Sequence, residues 1–218
     1  MAIFDFLFGS RNPPPVETTN ISTTEIPKYI AEPTADIIGE AMDVAREGYT
    51  PYAGPRLAGF NQDELDAWKN GKTGFPIIDA AMKQLKLEGW MHNRLRMVVA
   101  MFFTKNMLHD WRLGEAFFME NLLDGDFSSN NGGWQWSSST GTDAAPYFRI
   151  FNPITQSKNF DADGLFIKKH VKELQNLDEK EIHDPSEKIR DQLNYPKQIL
   201  DLKESRLRAI DAFGAAKN

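Results

Sequence analysis

From Phe60 to the end of the chain, apolar residues recur every three or four positions, and no segment alternates apolar with polar. That periodicity lays side chains along helix faces and gives no half-buried strand, so the expected fold is all-α. Pro76 opens FPIIDAAMKQLKLEG, where a missing N–H removes nothing from a first helical turn. Ile77, Ile78, Ala81, Met82 and Leu85 follow at helical spacing, and Gly89 supplies a stop. A second helix is predicted over His92–Leu108, with Leu95, Val98, Val99, Phe102 and Phe103 as a broad apolar face. A third is predicted over Trp111–Leu123, capped by Asp110, with Phe117, Phe118 and Leu122 pointing inward. Segments 163–175, 185–194 and 203–214 are charged, amphipathic and helical by the same pattern.

The first 60 residues are of another kind. Residues 9–35 are rich in Pro, Ser, Thr and Asn, with little apolar periodicity, and read as an extended or disordered arm. Residues 34–47 can form one short helix with Ile37, Ile38, Ala41 and Val44 on one face, and 49–55 is turn chemistry. The expected division is an N-terminal arm over 1–60 and a helical domain over 61–218. With 218 residues, 41 % hydrophobic and 26 % charged, the chain has an ordinary globular composition. No segment reaches the ~18–20 apolar residues that a membrane span needs, and MAIFDFLFGSR lacks the charge and cleavage pattern of a signal peptide. An intracellular protein with no membrane partner is expected. The absence of cysteine excludes thiolate metal sites and a cysteine nucleophile, and the four histidines never fall at a metal-binding spacing, so no metal is expected. The net charge of −6 argues against a protein that coats nucleic acid, but leaves room for a local basic groove.

All five tryptophans lie between Trp68 and Trp136. In the same region, 124–153 reads DGDFSSNNGGWQWSSSTGTDAAPYFRIFNP, a long irregular stretch by its Gly, Ser and Asn content. Helical proteins seldom carry so long a structureless segment without a use for it. DGD sets two carboxylates around a glycine, NNGG offers amides and close backbone approach, and Trp134 and Trp136 bracket one residue. On composition alone the stretch is equally a capped surface loop with two packed tryptophans.

Three strings go further: WKNGKTGFPIIDAAMKQLKLEGWMHNRLRM, DWRLGEAFFMENLLDGD and NNGGWQWSSSTGTDAAPYFRIFNP. Over 66–153, and more loosely to about 215, the chain resembles the C-terminal half of the flavin-binding helical domain of DNA photolyases and cryptochromes. The resemblance implies a helical bundle with a long irregular cofactor loop. Nothing in the 218 residues resembles that family's Rossmann-like antenna domain, so a truncated form without an antenna chromophore is expected. Residues 1–60 do not resemble the family's first flavin-clamping segment, and PYAGPRLAGF is similar to short stretches in tailed-phage structural proteins. The resemblance leaves half of the FAD pocket to be rebuilt by residues 1–60, by self-association with a second copy of the chain, or not at all, and phage origin is one reading of the source.

The resemblance also assigns roles. Asp124, Gly125 and Asp126 match the motif that contacts FAD, and Arg96 matches the arginine that pairs with the first aspartate; the plain alternative is a structural Arg–Asp bridge. Asn130 matches the residue facing flavin N5, though NNGG is also good turn sequence. Trp134 and Trp111 match the inner and middle members of a tryptophan chain for electron hopping. The outer member would fall near residue 58, where the sequence is Leu57, Ala58, Gly59. Trp136 matches the residue that stacks on a flipped pyrimidine dimer, and Asn93 and Met97 match lesion contacts, although a helical Met is more often core. Arg94 and Arg149 match DNA-facing arginines. Neither Asn93 nor Met97 is the histidine of (6-4) enzymes, which favours the cyclobutane dimer. The function implied is light-driven repair of cyclobutane pyrimidine dimers in ultraviolet-damaged DNA by electron transfer from reduced FAD, a deoxyribodipyrimidine photo-lyase. The alternatives are an FAD- or DNA-binding module without repair, and a phage-type structural fusion carrying a photolyase remnant.

Overall fold

The structure is a computed structural model, and it describes residues 61–215. The expected arm, the short helix over 34–47, the turn at 49–55 and the position near residue 58 lie outside the described residues. Every regular element among the described residues is helical.

Helix α1 (Gln62–Lys69) starts at Asn61, whose side chain accepts hydrogen bonds from the amides of Asp63 and Glu64. Helix α2 (Pro76–Glu88) begins with its proline in the first turn and stops at Gly89, where φ is +65°. Gly89 is also needed for space, since a Cβ there would lie 2.6 Å from Leu123 Cγ. The predicted second helix is α-helical over α3 (Asn93–Met101) and then widens into a π-helical turn (Phe102–Asn106), closed by Met107 N–H donating to the Phe102 carbonyl at 3.0 Å. Helix α4 (Trp111–Asn121) is capped by Asp110 as expected.

The stretch 124–153 departs from the expected irregular loop. Most of its first half is a helix, α5 (Phe127–Ser138), and only 124–126 and 139–152 are irregular. Asp126 caps α5 by accepting from the Ser129 amide at 2.8 Å. NNGG is therefore mid-helix and makes no turn. The low helix propensity of Asn and Gly is overridden by the tertiary contact of α5 with α4 and α3. Helices α6 (Pro153–Phe160), α7 (Leu165–His170), α8 (Glu187–Leu193) and α9 (Leu202–Ala215) complete the described fold, with a 3-10 turn (Lys172–Leu174) after α7.

Helix α2 is the central element, buried on nearly all sides among α1, α3, α6 and α7. Trp68, Phe75, Phe102, Phe103 and Phe118 are fully buried around it, each contributing roughly 1.5–3 kcal/mol. The C-terminal segment is tied to the start of α2 by two buried polar side chains. Asp79 accepts from Thr73 N–H and Oγ1–H, Gly74 N–H and Tyr195 O–H. Burial raises its carboxyl pKa, and those donors oppose the rise. Arg190 donates to the carbonyls of Gly74, Pro185 and Pro196 and to Asp184. With α2 anchored in this way, α3, α4 and α5 are left to surround the cavity described next.

Candidate functional site

A cavity of about 310 Å³ lies among α3, α4, α5 and the turn that precedes α5. Asn93, Arg96, Met97 and Ala100 face it from α3, at the i, i+3, i+4, i+7 positions of one helix stripe. Ser129, Asn130, Gly133, Trp134 and Ser137 face it from α5, and Phe118 from α4. Asp124 and Asp126 close it from the turn. Residues predicted from different stretches of sequence thus line one space.

Its charged edge is ordered by Arg96. One terminal nitrogen donates to both carboxylate oxygens of Asp124, at 2.9 and 2.8 Å, while Nε donates to the Met91 carbonyl at 2.7 Å. The pair is open to solvent on one side, with 27 % of the arginine and 49 % of the aspartate side chain exposed. Asp126 is held below its ordinary pKa by hydrogen bonds from Ser129 and stays ionised through neutral pH. Asn130 is oriented by Glu115: its Nδ2 donates to the Glu115 carbonyl at 3.0 Å and to Oε1 at 3.1 Å. A backbone carbonyl can only accept, so the amide nitrogen is committed and Asn130 has its Oδ1 to offer elsewhere.

Trp134 forms the apolar wall. It is 2 % exposed, with ring centroids 5.1 Å from Phe118, 5.9 Å from Phe103 and 6.2 Å from Trp68. Its six-membered ring lies against Gly114, where no side chain fits. Gly114, Glu115, Phe118 and Ser137 were not legible as site residues. The one signal was Gly114 itself, a glycine inside the predicted third helix where no stop is needed.

Other expected residues lie outside the cavity. Gly125 is exposed between the two carboxylates. The guanidinium of Arg94 sits 4.7 Å over the Phe160 ring, beside a separate groove of about 270 Å³. Preceding it, His92 caps α3 by accepting from the Arg94 amide. Trp136 is half-buried, and its carbonyl accepts from Ala145 N–H. Trp111 is half-buried under the Arg112 guanidinium, whereas the indole in ring contact with Trp134 is that of Trp68, which is fully buried. Arg149 is exposed on a turn. No helix among the described residues is long and apolar enough to cross a membrane.

Comparison with known proteins places the chain in a family. The family profile for the FAD binding domain of DNA photolyase matches residues 36–215, opening inside the segment set apart above as an arm. The deoxyribodipyrimidine photo-lyase of Salmonella typhimurium is 53 % identical over 160 residues, covering 72 % of this chain and 34 % of the relative. That of Halobacterium salinarum is 44 % identical over 188 residues, covering 84 % and 39 %. The chain thus spans little more than a third of the length of these curated relatives. Among solved structures, a class III photolyase from Agrobacterium tumefaciens superimposes with a TM-score of 0.67 at 36 % identity, covering 91 % of this chain and 45 % of the other. An archaeal photolyase from Sulfolobus tokodaii, solved with two FAD molecules, gives 0.64 at 38 % identity, covering 71 % and 35 %. A family match over most of the chain, carried by helices that also build the cavity, makes this protein a member of the DNA photolyase FAD-binding domain family.

Proposed function

We propose that the chain binds FAD in the cavity among α3, α4 and α5 and carries out light-driven repair of cyclobutane pyrimidine dimers in DNA. The observation that carries this reading is the mixed lining of one cavity. Four of the five residues matched to FAD (Arg96, Asp124, Asp126, Asn130) and two of the three matched to the lesion (Asn93, Met97) border the same space, with Gly125 and Trp136 outside it.

The lining suits a flavin ring. Trp134, Phe118 and Met97 offer apolar surface for a flat ring system, and the carboxylates, Arg96 and Asn130 offer a polar edge. The volume is at the small end of ligand pockets, which run roughly 300–1,000 Å³, so these residues would hold the ring portion of the dinucleotide. When bound, reduced FAD supplies an electron to the dimer on blue-light excitation and takes it back after the ring bonds break. The protein's part is orientation. Arg96 neutralises Asp124, Asn130 accepts a hydrogen bond through Oδ1, and Trp134 and Phe118 exclude water from one face. Trp134 and Trp111 are the proposed electron relay. Trp136 stacks on the extruded dimer, a contact worth ~1–3 kcal/mol per base. Arg94 and Arg149 bind phosphate. A second copy of the chain is the proposed means of completing the pocket, and intracellular DNA is the proposed setting.

Gly133 offers a variant that separates folding from binding. An added Cβ there meets nothing within 4 Å, so Gly133→Ala gains helix propensity, about 1 kcal/mol. The same methyl projects from a residue lining the cavity. The expected result is a Tm raised by about 2–4 °C together with weaker FAD binding. Unchanged FAD affinity in the stabilised variant would move the cofactor away from this face of α5.

The test of repair is the count of dimers in an ultraviolet-irradiated oligonucleotide incubated with protein and reduced FAD, in blue light and in the dark. Dimer loss in light alone supports the reading. FAD-loaded protein that leaves dimers intact in both arms would instead be a binding module.

A further inference from the structure

The π-helical turn carries a buried lysine that the cavity does not use. Lys105 has no solvent exposure, and its Nζ donates to the backbone carbonyl of Arg149 at 2.8 Å and to that of Pro146 at 3.4 Å. Arg149 N–H also donates to the Pro146 carbonyl at 2.9 Å. Residues 146–149 therefore form a closed turn whose first and last carbonyls share one ammonium. The turn displays Phe148, 59 % exposed, and Arg149, also exposed.

The arrangement is unfavourable for stability taken by itself. Among the described residues no carboxylate pairs with Lys105. Burial, reinforced by the like charge of Arg149, pushes its pKa down to about 8. An apolar side chain at this place would avoid burying a charge. Position 105 is buried within the π-helical turn, and such turns are frequent at functional sites. Its neighbour Asn106 anchors the opposite side of the same turn to α9, donating to Ser205 Oγ and accepting from Arg208. The π-helical turn is thus fixed to α9, and Lys105 extends that rigidity to residues 146–149.

We propose that Lys105 is a positioning residue: from inside the core its ammonium clamps the 146–149 turn, so that Arg149 and Phe148 are held in place for a nucleic-acid backbone. This rests on the reading of DNA as the partner, and it adds a residue with no contact to DNA or cofactor. Loss of the ammonium leaves the Arg149 carbonyl without this donor, whereas Arg149 keeps its charge.

The test uses the full chain as wild type, Lys105→Met, Lys105→Gln, Arg149→Ala and the Lys105→Met/Arg149→Ala double variant. Amide hydrogen exchange at Arg149 reads the turn directly, and titration with dimer-containing oligonucleotide reads its use. Both Lys105 variants are expected to unfold cooperatively, to exchange the Arg149 amide about ten-fold faster and to bind the oligonucleotide about as weakly as Arg149→Ala. The double variant is expected to lose nothing beyond Arg149→Ala alone, because Lys105 acts through that residue. Unchanged exchange at Arg149 in both Lys105 variants overturns the clamp. Additive losses in the double variant overturn the route through Arg149. An Arg149→Ala variant that binds normally overturns the nucleic-acid reading of this turn, and the exchange measurement then still decides whether the clamp exists.

Discussion

Replacing Gly114 with alanine is expected to destabilise the protein by about 1–2 kcal/mol, despite alanine being the better helix former. A Cβ built on Gly114 lies 2.1 Å from Trp134 Cη2 and 2.4 Å from Cζ3, far inside van der Waals contact. The indole cannot retreat sideways, because Phe118, Phe103 and Trp68 surround it at centroid distances of 5.1–6.2 Å. Either α4 and α5 separate, or the indole swings into the cavity. The first loses burial in the tightest part of the core, and the second fills the space proposed for the flavin. Overpacking of this kind typically costs ~1–3 kcal/mol, against up to about 1 kcal/mol regained from propensity. For a domain of this size that corresponds to a Tm lower by roughly 2–8 °C, read by thermal unfolding in circular dichroism. A variant with wild-type Tm and wild-type FAD affinity would mean that the approach of α4 to α5 is looser than described.

Asp124→Ala is expected to behave in the opposite way, with a small effect on stability and a large one on the cofactor. The Arg96–Asp124 pair is partly open to solvent, and exposed pairs contribute at most ~1 kcal/mol to stability. Arg96 keeps its bond to the Met91 carbonyl after the change and can reach water. FAD affinity should fall roughly 30-fold, the size expected for losing one charge-assisted hydrogen bond together with the partner that orients Arg96. Fluorescence titration of the apoprotein with FAD, alongside thermal unfolding, separates the two quantities. If Asp124→Ala instead unfolded the protein while the surviving fraction bound FAD normally, the pair would be a structural bridge between helices and no part of a cofactor site.

The contrast between these two variants also marks where the sequence was informative. Helix ends were legible because their signals are local: Pro76, Gly89, Asp110 and the apolar periods of α2, α3 and α4 each act within a turn or two. The pairing of Arg96 with Asp124 came from resemblance, and the geometry agrees. Helix α5 was missed because its residues are poor helix formers one by one. What stabilises it is the Asp126 cap and the neighbouring helices, and only the cap leaves a local trace. Gly114, Glu115 and Lys105 were missed for a related reason. Each matters through a partner distant in sequence: the Trp134 ring, the Asn130 amide and the carbonyls of Pro146 and Arg149. No single-chain period or spacing encodes such contacts. The π-helical turn was likewise hidden, since its apolar pattern continues that of α3.

The most direct measurement of the account is the visible absorption spectrum of the protein purified in the dark and titrated with FAD, read as flavin bound per chain. The cavity of Arg96, Asp124, Asp126, Asn130 and Trp134 is predicted to give saturable binding of one FAD per chain, with flavin bands that shift on binding and that need roughly 30-fold more FAD to appear in Asp124→Ala. A spectrum that stays that of free flavin at every ratio, from protein whose helices are intact by circular dichroism, would contradict it.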